Sequence, residues 1–174
     1  MRVFHGMAAP LAALLAVAGT APVWAITQMN FGVSADIVNG CAVTSVGSGN
    51  WGNIDLGSAA GVTTGTVEAD LLSGAANGIQ IDCTPGMAVN ISADTGNQPL
   101  AGVRRLTISG DMTSPIPYQL YANGSATPWT TQAIALSFPV GTSHQLFPVH
   151  AKATLSGATK AGAYQDTIHI TLAW

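Results

Sequence analysis

The chain has 174 residues, of which 48% are hydrophobic and only 7% are Asp, Glu, Lys or Arg. Soluble domains usually carry about 25% charged residues, so uncharged polar side chains and glycine must cover most of this surface. Disordered charged tails need far more charge, and nucleic-acid binding needs clustered Lys and Arg. The composition excludes both classes.

Residues 1–25 have the pattern of a cleaved secretory signal peptide. Arg2 supplies a short positive region, an apolar stretch runs from Ala8 to Gly19, and Val23 and Ala25 are the small residues before a cleavage site. The apolar stretch is too short for a comfortable membrane span. We therefore predict cleavage after Ala25 and export of the remaining chain.

The segment that follows, residues 26–37, alternates between apolar and polar side chains. One face carries Thr27, Met29, Phe31, Val33, Ala35 and Ile37. This period of two is typical of a β-strand, and two interpretations are open. The segment is either the first strand of its own domain or a strand that completes the sheet of another subunit by β-augmentation.

The two cysteines of the chain, Cys41 and Cys83, both follow the predicted cleavage site. In an exported protein the simplest interpretation is one disulfide, and two free buried thiols are the alternative. The sequence contains no CxxC or HxxxH spacing, so we predict no zinc site.

The rest of the chain predicts a single all-β domain over residues 38–174. Apolar residues recur with period two, and Gly, Pro and Asn-Gly turns interrupt them at short intervals, which is typical of an antiparallel sandwich. We predict long loops within Ser45–Gly78, where small residues dominate. The predicted strands are Gly78–Cys83, Met87–Ala93, Val103–Ser109, Ile116–Ala122, Ile134–Phe138, Gln145–Thr154 and Tyr164–Trp174.

The last predicted strand has the cleanest alternation. Ile168, Ile170, Leu172 and Trp174 share one face, and Thr167, His169, Thr171 and Ala173 lie on the other. The strand runs to the final residue, so we expect an apolar sheet edge that nothing later in the chain covers. Such an edge is a template for pairing with another chain.

We predict no catalytic residues. A Ser–His–Asp triad could be assembled on paper from His144, His150 or His169. The sequence lacks the local motifs that surround the serine in such triads. Glu68 and Asp70 are the closest pair of carboxylates, and solvated surface acids are the default interpretation. The sequence therefore predicts no enzyme, no cofactor, no metal and no small-molecule substrate.

Several motifs, in order, resemble the spore coat protein U domain family, which includes the subunits of archaic Csu-type chaperone–usher pili. The most specific is the closing Gly-x-Tyr-x-Asp-Thr, followed by alternating apolar residues and an aromatic, which here is Trp174. The motifs are Phe31-Gly-Val-Ser-Ala-Asp-Ile37 leading to Cys41-Ala-Val43, Trp51-Gly-Asn-Ile-Asp-Leu-Gly57, Ile79-Gln-Ile-Asp-Cys83, Arg105-Leu106, Tyr118-Gln-Leu-Tyr121 and Ala161–Trp174.

This resemblance implies an incomplete immunoglobulin-like antiparallel sandwich that lacks its final strand. A periplasmic chaperone would lend a strand to the new subunit, and at an outer-membrane usher the next pilin subunit would replace it. The donor residues would be Met29, Phe31, Val33 and Ala35; the acceptor groove would be lined by Ile168, Ile170, Leu172 and Trp174; and Cys41 and Cys83 would form the disulfide.

The resemblance thus implies a pilus subunit that passes through the periplasm to the cell surface, where it supports adhesion and biofilm formation. The alternative is a monomeric secreted module, carbohydrate-binding or adhesive, with a complete sandwich. In that alternative the segment 26–37 would fold onto its own domain.

Overall fold

The computed structural model describes residues 31–44, 49–109 and 111–174. The predicted signal peptide, residues 1–25, and the predicted donor residue Met29 lie outside these ranges. Residues 37–174 form one compact unit.

The described residues form strands and no helix, so none of them belongs to a helix that could span a membrane. In chain order, β1 to β13 are Cys41–Val43, Asn53–Ile54, Thr64–Ser73, Ala76–Asn77, Ile79–Cys83, Ala88–Ala93, Arg104–Ile108, Asp111–Ala122, Ile134–Ser137, His144–Phe147, Val149–Ser156, Tyr164–Gln165 and Ile170–Ala173.

These strands build three antiparallel sheets. The largest has the order β12-β7-β8-β11-β3-β2, with β4 paired to β3, and the two three-stranded sheets have the orders β1-β5-β10 and β13-β6-β9. The strand pairs are antiparallel. The predicted all-β antiparallel fold is confirmed.

One hydrophobic core joins the three sheets. The largest fully buried side chains include Phe138, Phe147 and Ile79. Trp129 packs edge-on against Phe147, with the ring centroids 5.5 Å apart, and its indole N–H donates to the Gln132 carbonyl at 2.9 Å. Every second side chain of the core strands points inward, which explains why period two identified most of them.

The disulfide Cys41–Cys83 is confirmed, and it joins β1 to β5. The two residues lie directly opposite each other in the strand pair, with their Cα atoms 4.1 Å apart. Beside them the Thr84 N–H donates to the Gly40 carbonyl at 3.0 Å. The bond and its neighbours fix the point where the chain enters the domain.

The prediction of long loops within Ser45–Gly78 is correct for residues 55–63, which belong to no strand, and wrong for the residues that follow. Thr64–Ser73 forms the ten-residue strand β3, which pairs with β11. Its inward side chains, Val67, Ala69 and Leu71, are only half-buried, and small or charged residues separate them. The local apolar periodicity of this segment is weak, so the sequence alone does not indicate a strand. Pairing with the neighbouring strand β11 determines its conformation.

Three predicted strands also differ from the structure. Gln145–Thr154 divides at Pro148 into β10 and β11, which belong to different sheets, because proline has no N–H to donate to a ladder. Tyr164–Trp174 divides into β12 and β13. Residues 31–37 of the segment 26–37, whose alternation is typical of a strand, belong to no strand.

Candidate functional site

The end of the chain changes sheets. Strand β12 pairs with β7 in the large sheet, and β13 pairs with β6 in a three-stranded sheet. Residues 166–169, which we call the crossover, connect the two strands. The final strand of the chain therefore belongs to a different sheet from β12.

Strand β13 has an unpaired edge. Among the described strands, β6 is its sole neighbour, and β13 ends the order β13-β6-β9. The N–H and C=O groups of β13 that face away from β6 therefore lack a strand partner. Such an edge accepts an additional strand readily.

A groove of about 730 Å³ opens beside the crossover and the start of β13. Its lining includes Ile168 of the crossover and Ile170 at the start of β13, together with Trp51, Ile54 and Leu56 from an earlier part of the chain. The remaining lining includes the core side chains Ile79, Tyr118, Leu120, Val149 and Ala151 and the half-buried Leu71 and Leu106. The groove thus leads from the surface to the hydrophobic core.

The structure brings some of the predicted acceptor residues together. Ile168 and Ile170 line the groove, and Leu172 is half-buried against the core. Trp174 does not belong to the groove lining and is 62% exposed. Alternation along the last strand therefore holds up to Leu172, and the terminal aromatic side chain faces solvent.

The described donor residues are accessible. Phe31 and Val33 are 87% and 86% exposed, and Ala35 is exposed as well.

Asp166 anchors the crossover. Its Oδ1 accepts hydrogen bonds from the N–H groups of Asn97 and Thr167, both at 2.8 Å, and its Oδ2 accepts the Tyr118 hydroxyl proton at 2.7 Å. Burial, together with this hydrogen bond, raises the pKa of Tyr118. Gly96 leaves room for the carboxylate, since a Cβ at that position would collide with it.

His169, the last crossover residue, is held by Asp94. The imidazole Nδ1 lies 2.7 Å from Asp94 Oδ2, and the His169 N–H donates to Oδ1 at 3.1 Å. Partial burial alone would raise the pKa of Asp94, but hydrogen bonds from the Gly96 N–H and from His169 lower it below its ordinary value of 3.8. The carboxylate is thus stabilised in its charged form.

Arg104 fixes Asp94 in turn. Its side chain is buried, and its guanidinium donates to the backbone carbonyls of Asp94 at 2.5 and 2.9 Å, Trp129 at 2.6 Å and Thr130 at 3.0 Å. Burial lowers the pKa of Arg104, although the guanidinium stays charged. A chain of contacts therefore runs from Arg104 through Asp94 to the wall of the groove.

Sequence reasoning missed this network and the wall at Trp51. The family resemblance names Tyr-x-Asp-Thr and Trp51–Gly57 as motifs but assigns them no structural role. The sequence signal for Asp94 and Arg104 is weak, because both side chains bind backbone groups. Hydrogen bonds to the backbone do not require a particular residue type at the partner position.

The three histidines of the described chain contact aspartates. His144 Nδ1 lies 2.8 Å from Asp82, and His150 Nδ1 lies 2.9 Å from Asp70. His150 Nε2 also lies 3.5 Å from Glu68, whose carboxylate pairs with Lys152 at 3.6 Å beside a second, separate cleft. Within the described residues, no group of His, Cys, Asp and Glu has an arrangement that could hold a metal ion.

The family model of the Spore Coat Protein U domain matches residues 27–171, and the chain therefore belongs to this family. A comparison with curated protein sequences finds no match.

Two solved structures are similar to the chain. One is the CsuC–CsuE chaperone–tip adhesion subunit pre-assembly complex of archaic chaperone–usher Csu pili of Acinetobacter baumannii, with 16% identity and a TM-score of 0.53 over 79% of this chain and 40% of that one. The other is a chaperone–tip adhesin complex of CFA/I fimbriae biogenesis, with 17% identity and a TM-score of 0.49 over 76% and 42%. This chain covers less than half of either matched chain. The similarity to the CsuC–CsuE complex confirms the immunoglobulin-like fold.

The role of Arg104 can be tested against its neighbour. Arg104→Met leaves three carbonyl groups without their charged donor, and hydrogen bonds to charged groups contribute about 1.5–3 kcal/mol each. We expect a loss of about 3 kcal/mol or more in the free energy of unfolding, measured with urea. Arg105, which donates one bond to the Gln98 carbonyl, is the control, and Arg105→Met should cost less than about 1 kcal/mol. Equal losses would contradict the assignment.

The lowered pKa of Asp94 predicts acid sensitivity. A carboxylate whose pKa is lower in the folded state stabilises the fold above its unfolded pKa, and this stability disappears as the pH falls through the folded pKa. Wild-type protein should therefore exceed Asp94→Asn in stability at neutral pH, and the difference should shrink below pH 3.8. Urea midpoints at several pH values measure it. A difference that stays constant down to the most acidic pH would refute the assignment.

Proposed function

We propose that this chain is a structural subunit of a chaperone–usher pilus and polymerises head-to-tail by donor-strand exchange. In this proposal, residues 26–37 of one subunit add a strand to the free edge of β13 in the next. The domain would then comprise residues 38–174. The observation that carries the proposal is the open groove beside an unpaired strand edge.

The chemistry of the two surfaces supports the pairing. The proposed donor face carries Met29, Phe31, Val33 and Ala35, and the groove presents half-buried apolar side chains that reach the core. Burying large apolar side chains contributes about 1.5–3 kcal/mol each, and backbone hydrogen bonds along β13 would add specificity. Strand addition would therefore fill the groove with apolar side chains and pair the free backbone groups of the edge.

The proposed partners follow from this incompleteness. A subunit with an open groove and an apolar edge is prone to aggregate before assembly, so it needs a periplasmic chaperone that covers the groove. The chaperone–subunit complexes among the similar structures are consistent with such a partner. An outer-membrane usher would then mediate exchange, with related pilin subunits as the final partners.

The proposed route begins with the signal peptide at residues 1–25, continues through the periplasm and ends at the cell surface. There the polymer would support adhesion and biofilm formation. The proposed assembly draws its free energy from burial and hydrogen bonding, so it involves no catalysis and no cofactor.

A self-contained carbohydrate-binding or adhesive module is the competing function. It requires residues 26–37 to complete their own domain. The likeness to a chaperone–tip adhesion subunit pre-assembly complex supports the pilus subunit instead.

The donor assignment predicts that Phe31→Asp abolishes polymers. A carboxylate in the apolar groove would lose its hydration without gaining a partner. Ser34→Asp adds the same charge to the opposite face of the segment and is the matched control. Size-exclusion chromatography of assembled residues 26–174 should show polymers for wild-type protein and Ser34→Asp but not for Phe31→Asp. Normal polymers of Phe31→Asp would disprove the donor assignment.

A further inference from the structure

Two apolar surfaces lie at opposite ends of the domain. The first, which we call the entry end, consists of Ile37, Val38 and Val140, where the chain enters the domain. All three side chains are exposed, Val140 by 91%. Val140 lies beside Gly86, where an added Cβ would be 3.9 Å from its Cγ2, and nearby Thr84 is hydrogen-bonded to Gly40.

The second surface is a hairpin turn at Leu100–Val103, which we call the crossover hairpin. Leu100 and Val103 exchange both backbone hydrogen bonds, at 3.0 and 2.9 Å. Ala101 and Gly102 between them have φ values of 49° and 79°, as a tight two-residue turn requires. The turn holds Leu100 and Val103 out from the domain, and Leu100 is 62% exposed.

The crossover hairpin lies next to the crossover. Asn97, three residues before Leu100, donates its N–H to Asp166, and Arg104, directly after Val103, binds the Asp94 carbonyl. Strand β6 begins two residues after Gly86 and ends immediately before Asp94. Six extended residues span about 20 Å, so the two apolar surfaces belong to opposite ends of β6.

Donor-strand exchange would bring these ends together, and the inference rests on the proposed function in this respect. Because the described strand pairs are antiparallel, we orient the donor antiparallel to β13. Residues 29–35 and 168–174 have the same length and the same alternation. If Met29 lies opposite Trp174, then Ala35 lies opposite Ile168, and Ile37 and Val38 reach the crossover of the accepting subunit.

We infer that the entry end of each subunit packs against the crossover hairpin of the subunit that accepts its donor strand. Both surfaces are apolar and uncharged, and the partner is a second copy of this chain. The contact removes Ile37, Val38, Val140, Leu100 and Val103 from water. It also fixes the angle between successive subunits, which the donor strand and its short linker would otherwise leave free.

Crosslinking between two populations of residues 26–174 tests the contact. One population carries Val38→Cys, and the other carries Leu100→Cys, Val140→Cys or Val62→Cys, the last being an exposed valine that belongs to neither surface. Cys41 and Cys83 are bonded to each other, so a short bis-maleimide reacts with the introduced thiols. We expect crosslinked dimers from positions 38 and 100 in mixed polymers, well above the yield from 38 and 62.

A second measurement uses Leu100→Ser with Val103→Ser. These chains should still polymerise, but their polymers should dissociate in denaturant about tenfold faster or more than those of Val62→Ser, because two buried apolar side chains are lost.

Polymers that crosslink through 38 and 140 would show a parallel donor and overturn the inference. Polymers without the 38–100 crosslink, or with unchanged dissociation, would overturn it and leave donor-strand exchange intact. An absence of wild-type polymers would instead refute the proposed function and the contact with it.

Discussion

The rest of the structure depends on the last strand, β13, which pairs on one side only. After β12 the chain crosses to the opposite sheet, and β13 pairs there with β6 alone. One row of backbone groups stays without a strand partner, and the groove beside it exposes side chains that a complete sandwich would bury. In the proposed exchange, one extended segment of another subunit would fill the groove and pair the free edge together.

The groove keeps its shape because polar groups fix one of its walls. Asp166 joins the crossover to Asn97 and Tyr118, and Asp94 joins it to Arg104. These bonds mostly involve backbone groups, so they position the chain rather than the side chains alone. Because this side of the groove is already ordered before a strand binds, less conformational entropy is lost on binding. In the proposed assembly, this order would let the groove select its donor strand although the chain carries few charges.

Much of the fold follows from period-two alternation, and the limits of that signal are physical. Strands with large inward side chains, such as Ile79–Cys83 and Ala88–Ala93, were predictable because their neighbours cover them fully. Strand β3 was not, because its inward residues Val67, Ala69 and Leu71 are only half-buried and leave a weak periodicity. The predicted groove residues Ile168 and Ile170 lie where alternation places them, but Trp174 does not line the groove, since burial of a terminal residue depends on neighbours that the sequence does not specify. The anchoring roles of Arg104 and Asp166 depend on backbone geometry, which side-chain patterns do not reveal.

The most direct test of the account is the thermal melt of a chain that begins at Gly40, alone and with a synthetic peptide of residues 26–37. A ligand that binds only the folded state raises the stability by about 2.7 kcal/mol at a hundredfold excess over its Kd. We predict a low Tm for the domain alone and a marked rise with the peptide, and no rise with a peptide that carries Asp in place of Phe31. An identical, cooperative and high Tm with and without the peptide would mean that the sheet is already complete, and it would contradict the account.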